Sequence, residues 1–315
     1  PDVEYLDADQ ARDVVPAATG PFLGAMWSPV DAQCQPDKAT RLFARRAERA
    51  GARFRYQVKA TRLLESGGRI TGIGTTAGRI AAGAVVVAAG AWTAHLLATI
   101  GLTVPIMPVC LTEAETQAAP PLFRPTVRAS GFGARQRPDG RIVASAGLGA
   151  RVTRRASLYD LTSPRHWLPR AWAFRKDLRL RVDGPRILRE IRHRTTLSPA
   201  LVPQPSPEPV PDRASADAAL ARLATVFPAA AGTRAARYWG GMIDMTPDGL
   251  PVIDSAAGPA GLTLVTGLSG HGLALGPVLG EIARDLALDG STSHPIEPFA
   301  LARFAGKVPR PHVMI

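Results

Sequence analysis

The feature that most restricts the fold of this 315-residue chain is an unbroken apolar run at residues 84–90, Ala-Val-Val-Val-Ala-Ala-Gly. A strand with one face in solvent alternates apolar and polar residues, and this run shows no such alternation. It therefore predicts a strand buried on both faces, as in a parallel sheet that helices cover. Residues 91–100 follow it and predict a short helix, so an α/β fold is expected.

The segment before this run predicts a helix and then a small antiparallel meander. Residues 36–51 fit a helix, because proline is tolerated in a first turn and Gly51 is suited to end it. Short strand-like stretches follow at residues 53–56, 60–65, 69–75 and 79–81. Glycine-containing pairs at 67–68 and 77–78 supply turns between the later stretches.

The last part of the chain predicts a strand, a glycine turn and a helix. The strand covers residues 262–267, the turn 268–272 and the helix 277–288, with proline at its start and Gly290 after its end. The glycines would let the backbone approach a flat ligand. The helix would direct the partial positive charge of its N-terminus towards that ligand.

The middle of the chain predicts strands and turns over residues 105–152, with a clear turn at Arg-Pro-Asp-Gly, residues 137–140. Residues 160–200 look helical but are interrupted by prolines. A proline-rich connector at 204–212 and a helix at 214–227 follow.

The net charge of +12 raises the alternative of a basic nucleic-acid-binding module. The densest basic stretch, residues 165–194, interleaves arginine with aromatic and aliphatic residues, as a groove for a single strand would. A solvated face or an interface produces the same pattern, and no RNA- or DNA-binding motif accompanies it. No nucleic-acid partner is therefore expected.

Other classes are disfavoured by composition. Cys34 and Cys110 form no C-x-x-C pair and the histidines show no metal-ligand spacing, so neither a metal site nor a disulfide framework is expected. No apolar run reaches the ~18 residues of a membrane span, and no secretory leader is seen. A cytoplasmic location is the expectation. The first residues, Pro-Asp-Val-Glu, suggest a fragment or a processed product.

Two short motif matches are rejected. Residues 72–77 fit the dinucleotide fingerprint G-x-G-x-x-G/A, but a strand follows where a helix is needed. Residues 267–271 resemble the nucleophile elbow G-x-S-x-G of hydrolases, but His271 stands where the sharp turn needs glycine.

Three segments in order resemble the D-amino-acid oxidase, glycine oxidase and sarcosine oxidase family of flavoenzymes. They are residues 60–63 through 85–92, residues 239–253 with Thr-Pro-Asp-Gly-Leu-Pro at 246–251, and residues 266–273. The variant Gly-Met-Ile-Asp at 241–244 is most similar to the branch of sarcosine, dimethylglycine and proline or hydroxyproline dehydrogenases.

The resemblance implies an α/β (α+β) fold. It would combine an FAD/NAD(P)-binding Rossmann-like domain that lacks its first βαβ unit with an antiparallel-sheet substrate domain. Residues 29–90 and 241–295 would form the partial FAD-binding domain. Residues 1–28 and 91–240 would form the substrate or cap domain, and residues 296–315 a C-terminal tail.

The resemblance also implies the site residues. Ala60 would lie near the adenine of FAD, and the other cofactor-binding residues would be Ala89, Gly90, Trp92, Gly241, Gly267, Ser269, Gly270, His271, Gly272 and Leu273. Related enzymes that hold flavin covalently use a cysteine where Gly241 stands, so noncovalent FAD is implied.

Substrate contacts are assigned to His271 and Arg135. His271 is the candidate catalytic residue beside the flavin, although a structural histidine that bonds the turn backbone is an equal alternative. Arg135 is the candidate anchor for a substrate carboxylate, with an exposed strand arginine as the alternative. Asp248 is expected to hold its turn by capping backbone amides.

The implied reaction is hydride transfer from the carbon next to an amine nitrogen to FAD, which gives an imine. Oxygen or an electron carrier, for example on a partner subunit, would reoxidise the flavin. Because the phosphate-binding loop of the first βαβ unit is missing from the pattern, a non-catalytic or partner-dependent subunit is a second interpretation.

Overall fold

A computed structural model describes residues 3–146, 152–155 and 209–306, together with a few residues between 167 and 188. The strands in chain order are β1 Glu4–Asp7, β2 Gly24–Trp27, β3 Ala60–Ser66, β4 Arg69–Thr75, β5 Gly78–Ala81, β6 Val85–Val87, β7 Met107–Ala118, β8 Val127–Ala129, β9 Phe132–Gln136, β10 Arg141–Ser145, β11 Val152–Arg155, β12 Leu178–Arg181, β13 Ala235–Met245, β14 Val252–Asp254 and β15 Leu262–Thr266. The α-helices are α1 Ala8–Val14, α2 Pro36–Arg49, α3 Thr93–Ala98, α4 Arg213–Val226 and α5 Gly272–Leu288.

The chain divides into two compact units. Unit 1 contains residues 1–51, 110–152 and 208–241, and unit 2 contains residues 52–109, 153–207 and 242–315. The domains predicted from the sequence, 29–90 with 241–295 and 1–28 with 91–240, divide the chain at other positions. That assignment of cofactor and substrate domains stays a prediction.

Unit 1 is built on a five-stranded sheet in the order β13-β7-β10-β9-β8. Strand β10 pairs antiparallel with β7 and β9, and β8 pairs antiparallel with β9. One face of the sheet packs against α4, and the core between them includes Ala114, Phe132, Ile142, Ala144, Ala216, Leu220 and Leu223. The antiparallel sheet expected in this part of the chain is confirmed.

Local signals in unit 1 are confirmed as well. The turn 137–140 closes with the Gly140 N–H donating to the Arg137 carbonyl at 2.9 Å. Helix α4 begins after Asp212, whose carboxylate accepts from the Ser215 N–H at 3.3 Å. Helix α2 ends just before Gly51, which has φ +96°, and none of its residues is buried. Only scattered residues of the helical segment predicted at 160–200 are described, and within it Leu178–Arg181 form strand β12 where a helix was expected. Most of the connector at 204–212 lies outside the described residues.

Unit 2 contains a sheet in the order β14-β15-β6 and the meander β3-β4-β5. Strand β15 is antiparallel to β14 and parallel to β6, with Leu264 opposite Val87. Leu262 and Leu264 pack into one core cluster with Val87, whereas Val265 belongs to a second cluster formed with α5. The parallel pairing predicted for the valine strand is confirmed.

The prediction that the valine strand β6 is buried on both faces is wrong. Val87 is 3% exposed, but Val86 is 41% exposed. Strand β6 is an edge strand of its sheet, since only β15 pairs with it among the described residues. Val87 packs into the core with residues of α3 and the meander, and Val86, on the opposite face of the strand, is therefore left exposed.

The meander is confirmed for three of the four predicted stretches, and the dinucleotide fingerprint at 72–77 is correctly rejected because it lies in the β4–β5 hairpin. No strand forms at residues 53–56. Gln57 adopts φ +59°, which breaks the extended backbone just before β3. The rings of Phe54 and Tyr56 stack on each other, 5.9 Å apart, and both are exposed.

Helix α5 begins at Gly272, five residues before the predicted start. The His271 carbonyl accepts from the Leu275 N–H at 3.1 Å, so helical hydrogen bonding is established one turn before Pro277. Pro277 is accommodated inside the helix, where it removes one backbone donor.

Candidate functional site

Two loops of unit 2 lie at one edge of the β14-β15-β6 sheet. Strands β6 and β15 are parallel, so their carboxyl ends meet at the same edge. Strand β6 leads into the short 3-10 turn Gly90–Trp92, and β15 leads into the turn 267–271 before α5. The hydroxyl oxygens of Thr93 and Thr266 are 3.0 Å apart and join the two loops. Ligands of α/β sheets bind at such an edge, and Ala89, Gly90, Trp92 and the glycine turn all lie there.

The turn 267–271 has an unusual backbone. Gly267 and Gly270 adopt φ +70° and +92°, and Ser269 adopts φ +50°, a conformation that L-residues rarely take. The Ser269 hydroxyl donates to the Gly267 carbonyl at 3.1 Å and accepts from the Thr246 N–H at 3.2 Å. These contacts offset the strain, which is typical of functional sites.

The glycines of the site differ in what surrounds them. A Cβ on Gly267 would lie 2.3 Å from Thr246 Cγ2, so the packing of the protein itself requires glycine there. A Cβ on Gly270 would meet one methyl group, Ile243 Cδ1, at 3.8 Å, and a Cβ on Gly90 would meet nothing within 4 Å. Gly90 and Gly270 therefore provide room for a ligand to approach the backbone. In unit 1, Gly241 is also open.

The N-terminus of α5 has no side-chain cap. His271 is its N-cap residue and makes no side-chain cap hydrogen bond, whereas Asp7 and Asp212 cap α1 and α4. A helix of 17 residues carries a partial positive charge at this end, where its first N–H groups have no acceptor within the helix. The arrangement suits a planar group that gains negative charge when it is reduced. The residues present therefore fit a flavin.

His271 makes the backbone contact that was predicted as the alternative to a catalytic role. Its Nδ1 lies 3.3 Å from the Leu268 carbonyl, and its own N–H donates to the same carbonyl at 2.8 Å. If Nδ1 carries the proton for this contact, Nε2 presents a lone pair. Contact of His271 with substrate stays a prediction.

Asp248 holds its turn as expected, with a partner that no sequence signal indicated. Its Oδ1 accepts from the Leu250 N–H at 3.2 Å. Arg303 donates to both carboxylate oxygens, from Nε to Oδ2 at 2.8 Å and from Nη2 to Oδ1 at 3.2 Å. Arg303 Nη2 also donates to the Leu250 carbonyl at 2.9 Å, so the turn is held from both sides.

Asp244, like Arg303, is a residue of this region that was not predicted from the sequence. It is buried at the end of β13, and its Oδ2 accepts from the Gly267 N–H at 2.6 Å. A signal for it existed, because an acidic residue between apolar neighbours in Gly-Met-Ile-Asp-Met is costly to bury without a partner.

Arg135 lies in unit 1 on β9, where its Nη1 donates to the Cys34 carbonyl at 2.7 Å. Glu113 on β7 is opposite Ser145 of β10. Burial raises the pKa of Glu113, while the charge of Arg135 and a hydrogen bond with Ser145 oppose that shift. The assignment of Arg135 to a substrate carboxylate stays a prediction.

The remaining predicted cofactor residues occupy different places in unit 2. Ala60 begins β3 and packs at the margin of a core cluster. Leu273, in the first turn of α5, is 47% exposed. Contact of these residues with FAD stays a prediction. Among the described residues, no group of three or more His, Cys, Asp or Glu side chains could hold a metal ion, and no helix is long and apolar enough to cross a membrane.

The described residues form an α/β protein with a candidate ligand-binding edge in unit 2 and an antiparallel sheet in unit 1. Residues 1–286 match the family described as DAO, FAD dependent oxidoreductase. The chain belongs to this family of FAD-dependent oxidoreductases, which confirms the resemblance and its cofactor.

Several known proteins that are similar to this chain have the names of enzymes that act on amino acids. A D-amino acid dehydrogenase from Cereibacter sphaeroides is 40% identical over 109 residues, which are 34% of this chain and 25% of that protein. The match thus spans a quarter of the curated relative. The L-amino acid deaminase from Proteus vulgaris has a TM-score of 0.81 at 22% identity, over 96% of this chain and 70% of that one. The L-proline dehydrogenase from P. horikoshii has a TM-score of 0.73 at 22% identity, over 98% and 70%.

Proposed function

We propose that this chain forms the larger part of an enzyme that oxidises the C–N bond of an amino or imino acid to an imine, with FAD as hydride acceptor. The family match over residues 1–286 carries the proposal. The open backbone at Gly90 and Gly270 beside the N-terminus of α5 supports it physically.

FAD would be held without a covalent bond. Gly241 has no side chain with which to form one, and related enzymes use a cysteine at that position. Ala89, Gly90 and Trp92 would contact the central part of the cofactor, and Ser269, Gly270 and Gly272 the ring. Bound FAD supplies the two-electron acceptor.

The residues of the chain act mainly by positioning. The first-turn N–H groups of α5 would stabilise negative charge that develops on the ring. A substrate amine reacts in its unprotonated form, so no strong base is needed once its α-carbon is oriented. Arg135 would anchor the substrate carboxylate, and Nε2 of His271 would accept a hydrogen bond from the amine.

The experiment is FAD titration of the purified full chain, followed by anaerobic mixing with a panel of D- and L-amino acids, proline and sarcosine. We expect the flavin band to develop on titration and one class of amine to bleach it. Propionate, which matches alanine without the nitrogen, should leave the band unchanged. Failure to bind FAD, or bleaching by none of the amines, contradicts the proposal.

A partner-dependent subunit is the second candidate. Among the described residues, β6 lacks a second neighbouring strand, and α2 exposes 61% of Leu42 and 58% of Phe43. Both are surfaces that another polypeptide could cover. A chain that stays colourless with FAD but turns yellow when co-expressed with neighbouring coding sequence would favour this candidate.

A cytoplasmic location stays part of the proposal. Cell fractionation tests it, since the protein should then be recovered without membranes or periplasm.

A further inference from the structure

Asp244 connects the end of β13 to the turn that follows β15. It is 8% exposed. Its Oδ2 lies 2.6 Å from the Gly267 nitrogen and 3.3 Å from the Thr266 hydroxyl oxygen. Its own carbonyl accepts from the Ser269 N–H at 3.2 Å. One residue thus contacts three positions of the four-residue stretch 266–269.

These contacts determine where the turn directs its backbone. The Gly267 N–H points to the buried carboxylate and is withheld from any ligand. A charged acceptor makes a stronger hydrogen bond than a neutral one, and a buried carboxylate needs such donors. Ser269, two residues after Gly267, has φ +50°, and a Cβ on Gly270, the next residue, would meet only one methyl group within 4 Å.

We infer that Asp244 is a positioning residue for the cofactor site, which fixes the turn 267–271 in the conformation that receives the flavin ring. It acts through the Gly267 N–H and the Ser269 N–H, without contact to substrate. This inference rests on the proposed function, because it assigns the turn to FAD.

The chain contains a matched control in Asp254. It is also buried, at 7% exposure, and its Oδ1 accepts from the N–H groups of Ala256 and Ala257 at 2.7 and 2.9 Å. Its Oδ2 accepts from the Leu301 N–H at 2.7 Å. Asp254 lies opposite Leu264 in β15, away from the turn. Both residues are buried aspartates whose carboxylates accept hydrogen bonds from backbone N–H groups. They differ in the loop that they contact.

The experiment compares Asp244→Asn and Asp254→Asn in the full chain. FAD affinity is measured by flavin fluorescence, the environment of the ring by the visible spectrum, and the turn by amide hydrogen exchange of residues 266–275 without FAD. Both variants should lose stability in urea. Asp244→Asn should bind FAD about tenfold more weakly, alter the flavin bands and exchange faster at the turn. Asp254→Asn should match the wild type in all three.

Unchanged affinity and spectrum in Asp244→Asn overturn the inference and leave Asp244 a structural residue. If the wild-type chain binds no FAD, the proposed function fails by itself. Hydrogen exchange without FAD then tests whether Asp244 fixes the conformation of the turn. Faster exchange at the turn in Asp244→Asn but not in Asp254→Asn supports this role, and equal exchange in the two variants overturns it.

Discussion

At residue 267, two independent requirements exclude any side chain. The φ of +70° disfavours L-residues, and a Cβ would lie 2.3 Å from Thr246 Cγ2. Gly267→Ala is expected to lower the free energy of unfolding by about 3 kcal/mol, through strain and overpacking.

Gly280→Ala is the control, because Gly280 is in the interior of α5 and a Cβ added there would meet nothing within 4 Å. It should stabilise the protein by about 0.5–1 kcal/mol. Urea unfolding measures both, and equal effects would contradict the argument.

The pair of Asp248 and Arg303 is buried, with side chains 1% and 11% exposed. Arg303→Leu would leave the carboxylate without its charged partner, so we expect a loss of about 3 kcal/mol or more. Arg284→Leu removes a pair whose arginine side chain is 63% exposed and whose partner, Asp285, keeps a hydrogen bond from the Thr292 hydroxyl, so it should cost under about 1 kcal/mol. Chemical denaturation of both variants checks this, and a loss at Arg303 no greater than at Arg284 would show that burial does not matter here.

Glu113 should make stability depend on pH. Burial raises its pKa in the folded state, so the folded protein binds the proton more tightly than the unfolded chain. This contribution to stability is present below the unfolded pKa and is lost as the pH rises through the folded pKa. Glu113→Gln cannot lose a proton, so its stability relative to the wild type should increase between pH 4 and pH 7. Urea midpoints at a series of pH values test the sign, and a flat or falling difference would refute it.

At the scale of elements, α5 joins the core to the candidate site. Its inner face packs against β15 through Leu279, Ile282 and Leu286, while its first turn is exposed at Leu273. The packing fixes the direction of the helix axis. The N-terminal charge of the helix therefore has a defined position at the sheet edge.

Leu273→Glu tests that end of α5. A negative charge in the first turn interacts favourably with the helix dipole, so stability without FAD should be unchanged or slightly higher. FAD affinity should fall about tenfold, because the carboxylate competes with the carbonyl groups of the ring for the positive end of the helix. Leu288→Glu, at the exposed opposite end, is the control and should bind FAD as the wild type does. Fluorescence titration and thermal unfolding give the two readouts; equal FAD affinity in both variants would place the ring elsewhere.

For the whole molecule, the net charge of +12 predicts weak, salt-dependent attraction to nucleic acid and no sequence-specific complex. A gel shift with single- and double-stranded DNA should show binding at low salt that disappears near ~150 mM salt, because such binding depends on counterion release. A complex that persists at that salt concentration, or that prefers one DNA sequence, would support the interpretation as a nucleic-acid-binding module.

Periodicity and turn residues were sufficient to predict many of the local elements. The helices at 36–49 and 213–226, the hairpin through Gly67 and Gly68, and the strand at 262–266 form where the sequence indicates. Each depends on the conformational preferences of neighbouring residues. The family motifs likewise identified the glycine turn and Asp248, because their residues are adjacent in the chain.

The sequence by itself therefore determined the family, most of the local elements and the residues of the turn. The tertiary structure alone decided that Val86 stays exposed, that Gln57 ends the extended backbone, and that Asp248 meets Arg303 55 residues away. It also decided that Asp244 holds the Gly267 N–H. The physical reason is that a local pattern reports the preference of a segment. A buried charge or a strand edge is stabilised by whichever distant group the fold brings against it.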